Sequence, residues 1–259
     1  MYNIYLELEK INEKYNLTGF KQEDGYLFYG DIKLNHKYNG IILKNSLYIS
    51  MFVPFTFPNE LPIVKDITKK INSNFHKNSD DILCLACDVE IFYELKKNLD
   101  VSICDFIEKF LIPYLYSYTY YEKYKRVPYG DRKHGSAGIL EFYKDYFDLF
   151  DDKKALSLLK YMSLNKYRGH DLCPCNSGYK IRKCHGMKIL RLLEIVGKDK
   201  VSKDWWGIKK EFRLIQRIQY KKMQQEKKFK YYMSSQKNPF DVTIPKFYKK
   251  YIEYKKMTK

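Results

Sequence analysis

Four residues in the segment HDLCPCNSGYKIRKCHG have the types and spacing of a metal site. One residue separates Cys173 from Cys175, and eight residues separate Cys175 from the adjacent Cys184 and His185. In structural sites Zn²⁺ takes four cysteine or histidine ligands, at about 2.0–2.3 Å, in a tetrahedron. Because these four would fill every position, the pattern predicts structural zinc with no open place for water. A segment this short has almost no core of its own, so its folding would depend on the metal.

A second candidate for chemistry is Cys84. It is the second-last residue of the segment FVPFTFPNELPIVKDITKKINSNFHKNSDDILCL. The prolines make the first part of this segment a stiff, non-helical loop. A thiol on a polar loop can ionise and react, whereas a thiol in an apolar core stays inert. The sequence therefore predicts a reactive Cys84. Cys87 could form a redox or metal pair with it, but no second pair lies nearby. We therefore interpret Cys87 as a small buried residue, and Cys104 as part of an apolar helical face.

The elements that must position these residues follow from apolar periodicity. Residues 2–16 have the three-to-four spacing of an amphipathic helix, closed at Gly19. Extended runs follow in YLFYGDIKL, NGIILK and SLYISMFVP, with tight reversals expected at residues 39–40 and 44–45. The pattern predicts one helix followed by an antiparallel meander sheet, the proline loop and a short extended piece.

Helical spacing returns after the candidate cysteine. It covers residues 100–120, where Pro113 is expected to kink or end the helix. Further helices are predicted after a cap near Ser136, from Lys153, and in the segments ILRLLEIVG and DWWGIKKEFRLIQRIQYKKMQQEKKFKYYM. The final segment, NPFDVTIPKFYKKYIEYKKMTK, is predicted to be extended and then basic.

Charge is unevenly distributed along the 259 residues, whose formal net charge is +17. Residues 1–165 hold 22 basic and 23 acidic side chains, residues 166–187 hold 5 and 1, and residues 188–259 hold 21 and 7. The basic surplus therefore belongs to the back of the chain, which favours separate domains. The lysines there alternate with aromatic residues, a pattern that fits nucleic acid or an acidic protein surface. A solvated face in a lysine-rich chain is an equally good interpretation.

The first half resembles the ubiquitin-conjugating enzyme fold. The resemblance lies in the order of a strand, Val-Pro-Phe-x-Phe-Pro, Leu-Pro, His-x-Asn and Leu-Cys-Leu. It implies an α+β fold with Cys84 as the active cysteine and His76 and Asn78 in the family's His-Pro-Asn tripeptide. Two departures are that Lys77 replaces the proline and that the gap from Asn78 to Cys84 is short. A non-catalytic domain of the same shape is the alternative, because fold does not fix function.

The resemblance extends to stand-alone bacterial relatives found in antiphage defence operons. They carry a similar His-Gly and Gly-Ile-x-Glu run, which implies that Asp131, Arg132 and His134 lie near the active loop; solvated charges at a glycine-rich helix start are the alternative. Cys84 would form a thioester, and Asn78 or a backbone amide would stabilise the oxyanion. Proximity makes Asp80 or Asp81 a candidate for orienting an incoming amine.

The cysteine and histidine segment is similar to the SEC-C motif, first known at the C-terminus of the SecA translocation motor. The combined resemblances imply a conjugating-enzyme-like domain at 1–125, connecting helices at 126–165, a zinc-binding motif at 166–187 and a basic, mainly helical region at 188–259. We expect that region to contribute recruitment and no chemistry, so that Cys84 stays reactive in a chain ending near Leu164.

Two functions follow as expectations. The first is thioester acyl transfer, or processing of a pre-formed linkage, in antiphage defence of the CBASS type. The protein substrate would resemble a cGAS/DncV-like nucleotidyltransferase, and with no Gly-rich nucleotide cradle in the chain a separate partner would activate the acyl group. The second is an adaptor that binds protein or nucleic acid through the zinc motif and residues 188–259. No apolar run is long enough for a bilayer and no signal peptide is evident, so a cytoplasmic protein without membrane contact is expected.

Overall fold

A computed structural model describes residues 4–72, 75–78, 80–98, 101–128, 133 and 135–235, with side chains up to residue 228. The chain divides into two units, one ending at Trp205 and one beginning at Trp206. The first unit combines an antiparallel sheet with helices, which confirms the predicted α+β class. The predicted segments 126–165 and 166–187 both lie inside this unit, and the finer division into four parts stays a prediction.

A four-stranded antiparallel meander forms the sheet of the first unit. Its strands, in the spatial order β1-β2-β3-β4, are β1 (Thr18–Lys21), β2 (Gly25–Tyr38), β3 (Ile41–Pro54) and β4 (Ile63–Asp66). The expected reversal at residues 39–40 is confirmed, because Asn39 and Gly40 have positive φ angles of 46° and 81°. The order of a meander, a proline loop and a short extended strand is also as predicted.

The expected reversal at residues 44–45 is wrong, because β3 runs through both residues without a break. Asn45 pairs with Leu34 of β2 in the ladder. Its side chain donates to Thr119 Oγ1 on a helix that packs against the sheet, at 3.0 Å. The asparagine therefore finds its partners inside a strand, where the sequence pattern had suggested a turn.

The first helix, α1 (Tyr5–Tyr15), ends earlier than the sequence predicted. Asn16 takes the left-handed conformation that ends it, at φ 57°. Gly19 instead lies in β1, where an added Cβ would approach the ring of Phe28 to 2.7 Å. The glycine is therefore explained by close packing within the sheet and not by the end of the helix.

Of the helices of the first unit, α1 and α4 pack against the sheet, and α2, α5, α6 and α7 pack on one another. They are α2 (Asp88–Lys96), α3 (Ile103–Phe106), a π-helical turn (Ile107–Leu111), α4 (Ile112–Tyr124), α5 (Gly135–Phe147), α6 (Asp152–Leu164), a 3₁₀ turn (Ile181–Lys183), α7 (Gly186–Val196) and the beginning of α8 (Lys198–Ser235). Pro113 does not end the helical run, which continues from Ile103 to Tyr124. The π-helical turn lies directly before the proline, where a local change in the i→i−4 hydrogen bonds accommodates it. The expected kink stays a prediction.

Tyrosines of α4 tie the sheet to the loop that leads towards Cys84. The hydroxyl of Tyr116 donates to the carbonyl of Ile41 at 3.1 Å, and Tyr118 donates to Lys70 at 2.7 Å. Tyr114 donates to the carbonyl of His76 at 3.2 Å. Buried hydroxyls with backbone partners hold irregular loop segments in one position, so α4 defines the path of the loop after β4.

The described part of the second unit is the continuation of α8 from Trp206. Within the described residues, none of the helices has both the length and the apolarity needed to cross a membrane. The predicted extended segment after residue 237 lies outside the described residues.

Candidate functional site

Cys84 lies on the segment between β4 and α2, and backbone hydrogen bonds fix it on both sides. The amide of Leu83 donates to Val64 of β4 at 2.9 Å, and the amide of Cys84 donates to the carbonyl of His76 at 2.7 Å. Cys84 itself is exposed, whereas Leu83 beside it is buried. The segment thus anchors one residue in the core and presents the next to solvent.

The predicted neighbours His76 and Asn78 shape the loop before Cys84. His76 contributes its carbonyl to the amide of Cys84 and has an uncommon φ of 39°. Asn78 accepts hydrogen bonds at Oδ1 from the amides of Asp80 and Ile82, at 3.1 and 3.0 Å. Both residues therefore have a structural task here, and Asn78 also lines the cavity beside Cys84.

The two predicted acids of the loop differ in their surroundings. Asp81 has a positive φ of 60° and pairs with the buried amino group of Lys77 at 2.9 Å. Hydrogen bonding from Lys77 lowers the pKa of the Asp81 carboxyl. Lys77 also donates to the carbonyl of Ile71, so this pair stabilises the loop. Asp80 is exposed. Asp81 therefore has a structural role in the loop, and the suggestion that Asp80 or Asp81 orients an amine stays a prediction.

His134, like Asp131 and Arg132, lies outside the described residues. The helix that follows, α5, begins at Gly135 as the sequence indicated. The expected proximity of His134 to the Cys84 loop stays a prediction.

The electrostatic surroundings of Cys84 do not favour a thiolate at rest. Partial burial raises the pKa of its thiol, and the negative charge of Asp88 raises the pKa further. This contradicts the simple expectation that a polar loop makes the thiol easy to ionise. Burial raises the pKa of Cys87 to about 12 and also raises the pKa of the buried Cys104. Of these three cysteines, Cys84 alone is exposed. Solvent access to its sulfur, and not a lowered thiol pKa, therefore distinguishes Cys84 from the other two.

An open cavity of about 960 Å³ lies beside Cys84, and we call it the Cys84 groove. Its volume is at the upper end of the roughly 300–1,000 Å³ typical of ligand sites. The proline loop, the segment 82–86 and α2 contribute mostly apolar residues to it, including Leu61, Ile63, Leu85, Ile91 and Phe92. Charged side chains, among them Glu60, Asp88 and Lys96, line the same cavity, so its lining as a whole is mixed in polarity.

One wall of the Cys84 groove comes from a part of the chain that the sequence had assigned to recruitment. Residues 194–203, where α7 passes into α8, line the same cavity as Cys84. Helix α7 packs against α2, and this contact brings the wall to the groove. Residues 194–203 therefore lie beside Cys84, whereas the expectation that residues 188–259 contribute recruitment and no chemistry stays a prediction.

The second candidate site is the cluster of Cys173, Cys175, Cys184 and His185, whose ligand atoms all lie within 4.8 Å of one another. His185 Nδ1 is 3.3 Å from Cys173 Sγ and 3.1 Å from Cys184 Sγ, and the sulfurs of Cys175 and Cys184 are 3.6 Å apart. Ligand atoms around a tetrahedral Zn²⁺ lie about 3.5–3.8 Å apart. The donor set and its spacing are therefore compatible with zinc.

The second nitrogen of His185 supports the same interpretation. Nε2 lies 3.2 Å from the carbonyl of Phe147 at the end of α5. Such a bond orients a metal-binding imidazole and leaves Nδ1 as the ligand. Burial lowers the pKa of His185, which favours the neutral ring that a metal needs. The ring of Phe147 also contacts His185 edge to face, so the cluster is docked on α5.

Against protein-family models, curated proteins and solved structures, the chain shows no match. Two sites are therefore the evidence for the class of protein. One is an exposed cysteine at a groove in an α+β unit, and the other is a four-ligand cluster docked on α5.

Sequence reasoning missed two residues of the groove. Asp88 is the charged residue that raises the pKa of the Cys84 thiol. Lys200 Nζ lies 3.8 Å from Asp88 Oδ2. The position of Asp88, four residues after the cysteine in the first turn of α2, was a usable signal. Lys200 had none, because only the packing of α7 on α2 brings it there.

Proposed function

We propose that this chain is a cysteine-dependent acyltransferase of the ubiquitin-conjugating-enzyme-like kind, with Cys84 as the nucleophile. The observation that carries the proposal is the exposed Cys84 beside a large open groove that apolar and charged side chains line. The meander, the proline loop and the order of helices are those that the resemblance implied. The raised pKa of Cys84 favours a neutral thiol in the free protein, so a bound donor or partner would promote its ionisation.

The reaction proceeds by exchange of one acyl bond for another. The Cys84 thiolate attacks the carbonyl carbon of a thioester carried by a separate activating enzyme, and the thiolate of that enzyme leaves. An amine of the protein substrate then attacks the new thioester. The amide bond forms, the amine loses its proton to solvent, and the Cys84 thiolate is released. Each step needs only the acyl donor and an amine.

Stabilisation of the oxyanion falls to Asn78 in this proposal. Its Oδ1 is engaged by two backbone amides of its own loop. The side-chain NH₂ is therefore the end that would donate to an oxyanion formed at the adjacent cysteine. Removing one such donor costs enzymes about 10²–10³ in rate, so Asn78→Ala should slow transfer without preventing alkylation of Cys84.

The four-ligand cluster is proposed to hold structural zinc in a knuckle similar to the SEC-C motif. Cys173, Cys175, Cys184 and His185 would hold the ion, and Phe147 would fix the orientation of the imidazole. Bound zinc supplies folding free energy to the segment and takes no part in the transfer. The cluster lies on α5 and leads directly into α7, so we assign it to support of the groove wall.

The proposed setting is cytoplasmic antiphage defence of the CBASS type, where the protein substrate would resemble a cGAS/DncV-like nucleotidyltransferase. The support is the resemblance of the His-Gly and Gly-Ile-x-Glu run at residues 134–141 to the same run in relatives from antiphage defence operons. The proposal requires an activating partner, because thioester exchange starts from an acyl group that is already activated.

An adaptor is the second candidate, and the surface of α8 favours it. From Trp206 to residue 228 this helix carries eight basic and two acidic side chains. Large apolar residues are exposed among them, namely Phe212, Leu214, Ile215, Ile218, Tyr220 and Met223. An exposed helix with apolar and basic residues is suited to binding an acidic partner. In the acyltransferase the same helix would recruit the substrate, and nucleic acid is the other possible partner of this surface.

The amount of covalent protein conjugate in cells that express this chain together with its neighbouring genes distinguishes the two candidates. Wild-type protein, Cys84→Ala and Cys87→Ala would be compared by immunoblotting under denaturing, reducing conditions. The acyltransferase predicts that conjugates disappear with Cys84→Ala and persist with Cys87→Ala. Persistence of both conjugates and phage protection in Cys84→Ala would support the adaptor.

A further inference from the structure

The segment from Glu194 to Lys203 forms a wall of the Cys84 groove and carries a buried charge network. Lys200 Nζ lies 2.6 Å from Asp204 Oδ1, and only 2% of the Asp204 side chain is exposed. The hydroxyl of Tyr143 on α5 donates to Asp204 Oδ2 at 2.9 Å. The Asp204 carboxylate is thus held by Tyr143 of α5 and by Lys200 of its own helix, and the ion pair in turn fixes the Lys200 side chain. Ordering a lysine side chain costs conformational entropy. The ion pair with Asp204 offsets that cost, so the Lys200 ammonium group is held in one position, unlike the ammonium groups of solvent-exposed lysines.

The same ammonium group reaches the residue that acts on the candidate nucleophile. Lys200 Nζ lies 3.8 Å from Asp88 Oδ2, and 16% of the Lys200 side chain is exposed compared with 68% for Asp88. Asp88 stands in the first turn of α2, four residues after Cys84, and lines the groove with it. The chain of contacts therefore runs from Tyr143 through Asp204 and Lys200 to Asp88.

We propose that the junction of α7 and α8 is part of the Cys84 site, and that Lys200 is a positioning residue which offsets the negative charge of Asp88 beside the thiol. Lys200 acts through Asp88 and is not itself a catalytic residue. The inference deepens the proposed function, since it concerns regulation of the same thiol, but it makes no assumption about the acyl donor. It also gives residues 194–203 a role at the chemical site, next to any role in recruitment.

The sign of the effect follows from the charges around the thiol. Burial and the Asp88 carboxylate both hold the pKa of Cys84 above its ordinary value. A cation held at Asp88 opposes the second cause. Without Lys200 the pKa of Cys84 should rise, and at a fixed pH below it fewer molecules carry the thiolate. A change of half to one pH unit corresponds to an about three- to tenfold lower alkylation rate.

Other charged groups face the groove, and the experiment must separate them from Lys200. They are Glu60, Lys96, Glu194, Lys198, Asp199 and Lys203. Tyr114 of α4 also lies near the thiol, but burial, then Cys84 itself, raises the pKa of its hydroxyl, so it stays neutral. Lys203 is the matched control, because it is an exposed lysine on the same wall. Exposed charges are screened by solvent and salt, so Lys203→Met should change the rate less than twofold.

The test is the pH profile of iodoacetamide alkylation at Cys84, followed by peptide mapping in the zinc-loaded full chain. Lys200→Met should move the profile to higher pH and leave the plateau at high pH unchanged or slightly raised. Asp88→Asn should move it to lower pH. In the Asp88→Asn background, Lys200→Met should shift the profile less than it does in the wild-type chain, because the carboxylate that Lys200 holds is gone and only its direct charge effect on the thiol remains.

Removing Lys200 alone leaves Asp204 buried without its cation, which destabilises the unit. The double variant Lys200→Met with Asp204→Asn keeps an acceptor for Tyr143 and leaves no buried carboxylate without its cation. Compared with Asp204→Asn alone, it therefore serves as the folded form of the same test. Thermal unfolding would verify that each variant is folded. A double variant with the profile of Asp204→Asn, equal shifts for Lys200→Met and Lys203→Met, or a Lys200→Met shift of full size in the Asp88→Asn background would overturn the assignment. Each of these results could occur whether or not Cys84 transfers an acyl group.

Discussion

Cys184→Ser should remove the metal and melt the segment that holds it, while the sheet stays folded. The substitution replaces one of four ligands that lie within 4.8 Å of one another. The segment around it has a single fully buried aliphatic side chain, Ile181, and a few backbone bonds such as Cys173 to Tyr179 at 2.8 Å. Metal binding to a free-standing zinc segment supplies about 10–16 kcal/mol, far more than those contacts.

The cost to the whole unit is smaller and can be worked out from the docking contacts. Exposing Ile181 costs about 1.5–3 kcal/mol. Losing the hydrogen bond from His185 to Phe147 costs about 1 kcal/mol, and the lost ring contact between them costs about 0.5–1.5 kcal/mol. The sum, about 3–5.5 kcal/mol, lies at or below the lower end of the 5–15 kcal/mol of a typical domain. At about 2–4 °C per kcal/mol for a unit of this size, Tm should fall by roughly 6–22 °C.

Metal analysis by mass spectrometry combined with thermal unfolding tests this prediction. Wild-type protein should contain one zinc per chain, Cys184→Ser should contain almost none, and Cys87→Ser should keep its zinc as a matched cysteine control. Full zinc content in Cys184→Ser, or metal-free wild-type protein with unchanged Tm, would refute the reasoning.

Three further predictions concern the Cys84 groove. In zinc-loaded protein, iodoacetamide should label Cys84 faster than Cys87, because Cys84 is exposed and burial raises the pKa of Cys87 to about 12; faster labelling of Cys87 in a peptide map would contradict this. A chain that ends at Leu164 lacks the groove wall at residues 194–203, so its Cys84 alkylation rate should differ at least about threefold from that of the full chain. Equal rates in a folded protein would support a role of residues 188–259 in recruitment alone. Tyr143→Phe removes the bond to buried Asp204 and should cost about 1.5–3 kcal/mol in denaturant unfolding, whereas Tyr29→Phe on the sheet should cost less than about 0.5 kcal/mol.

Local patterns predicted most of the elements because short-range physics decides them. Apolar spacing indicated α1, α6 and α7, and the Asn39-Gly40 pair indicated the turn between β2 and β3. One error arose where a distant partner satisfies a polar residue. Asn45 continues a strand because Thr119 of α4 accepts from its side chain.

The sites divide in the same way. The metal cluster could be predicted because its four ligands form two close pairs in one short segment of the sequence, at residues 173 and 175 and at residues 184 and 185. The cysteine could be singled out, but the charge beside it could not. Lys200 and Cys84 lie more than a hundred residues apart, and only tertiary packing places Lys200 near Asp88.

Peptide mapping of Cys84 in protein isolated from cells that carry the operon tests the central claim most directly. Isolation under denaturing, non-reducing conditions at low pH would preserve a thioester. We predict an acyl adduct on Cys84 that neutral hydroxylamine releases, at the same Cys84 position in Cys87→Ser and absent in Cys84→Ala. A Cys84 found only as free thiol, while cellular conjugates still form, would contradict the assignment of Cys84 as the nucleophile.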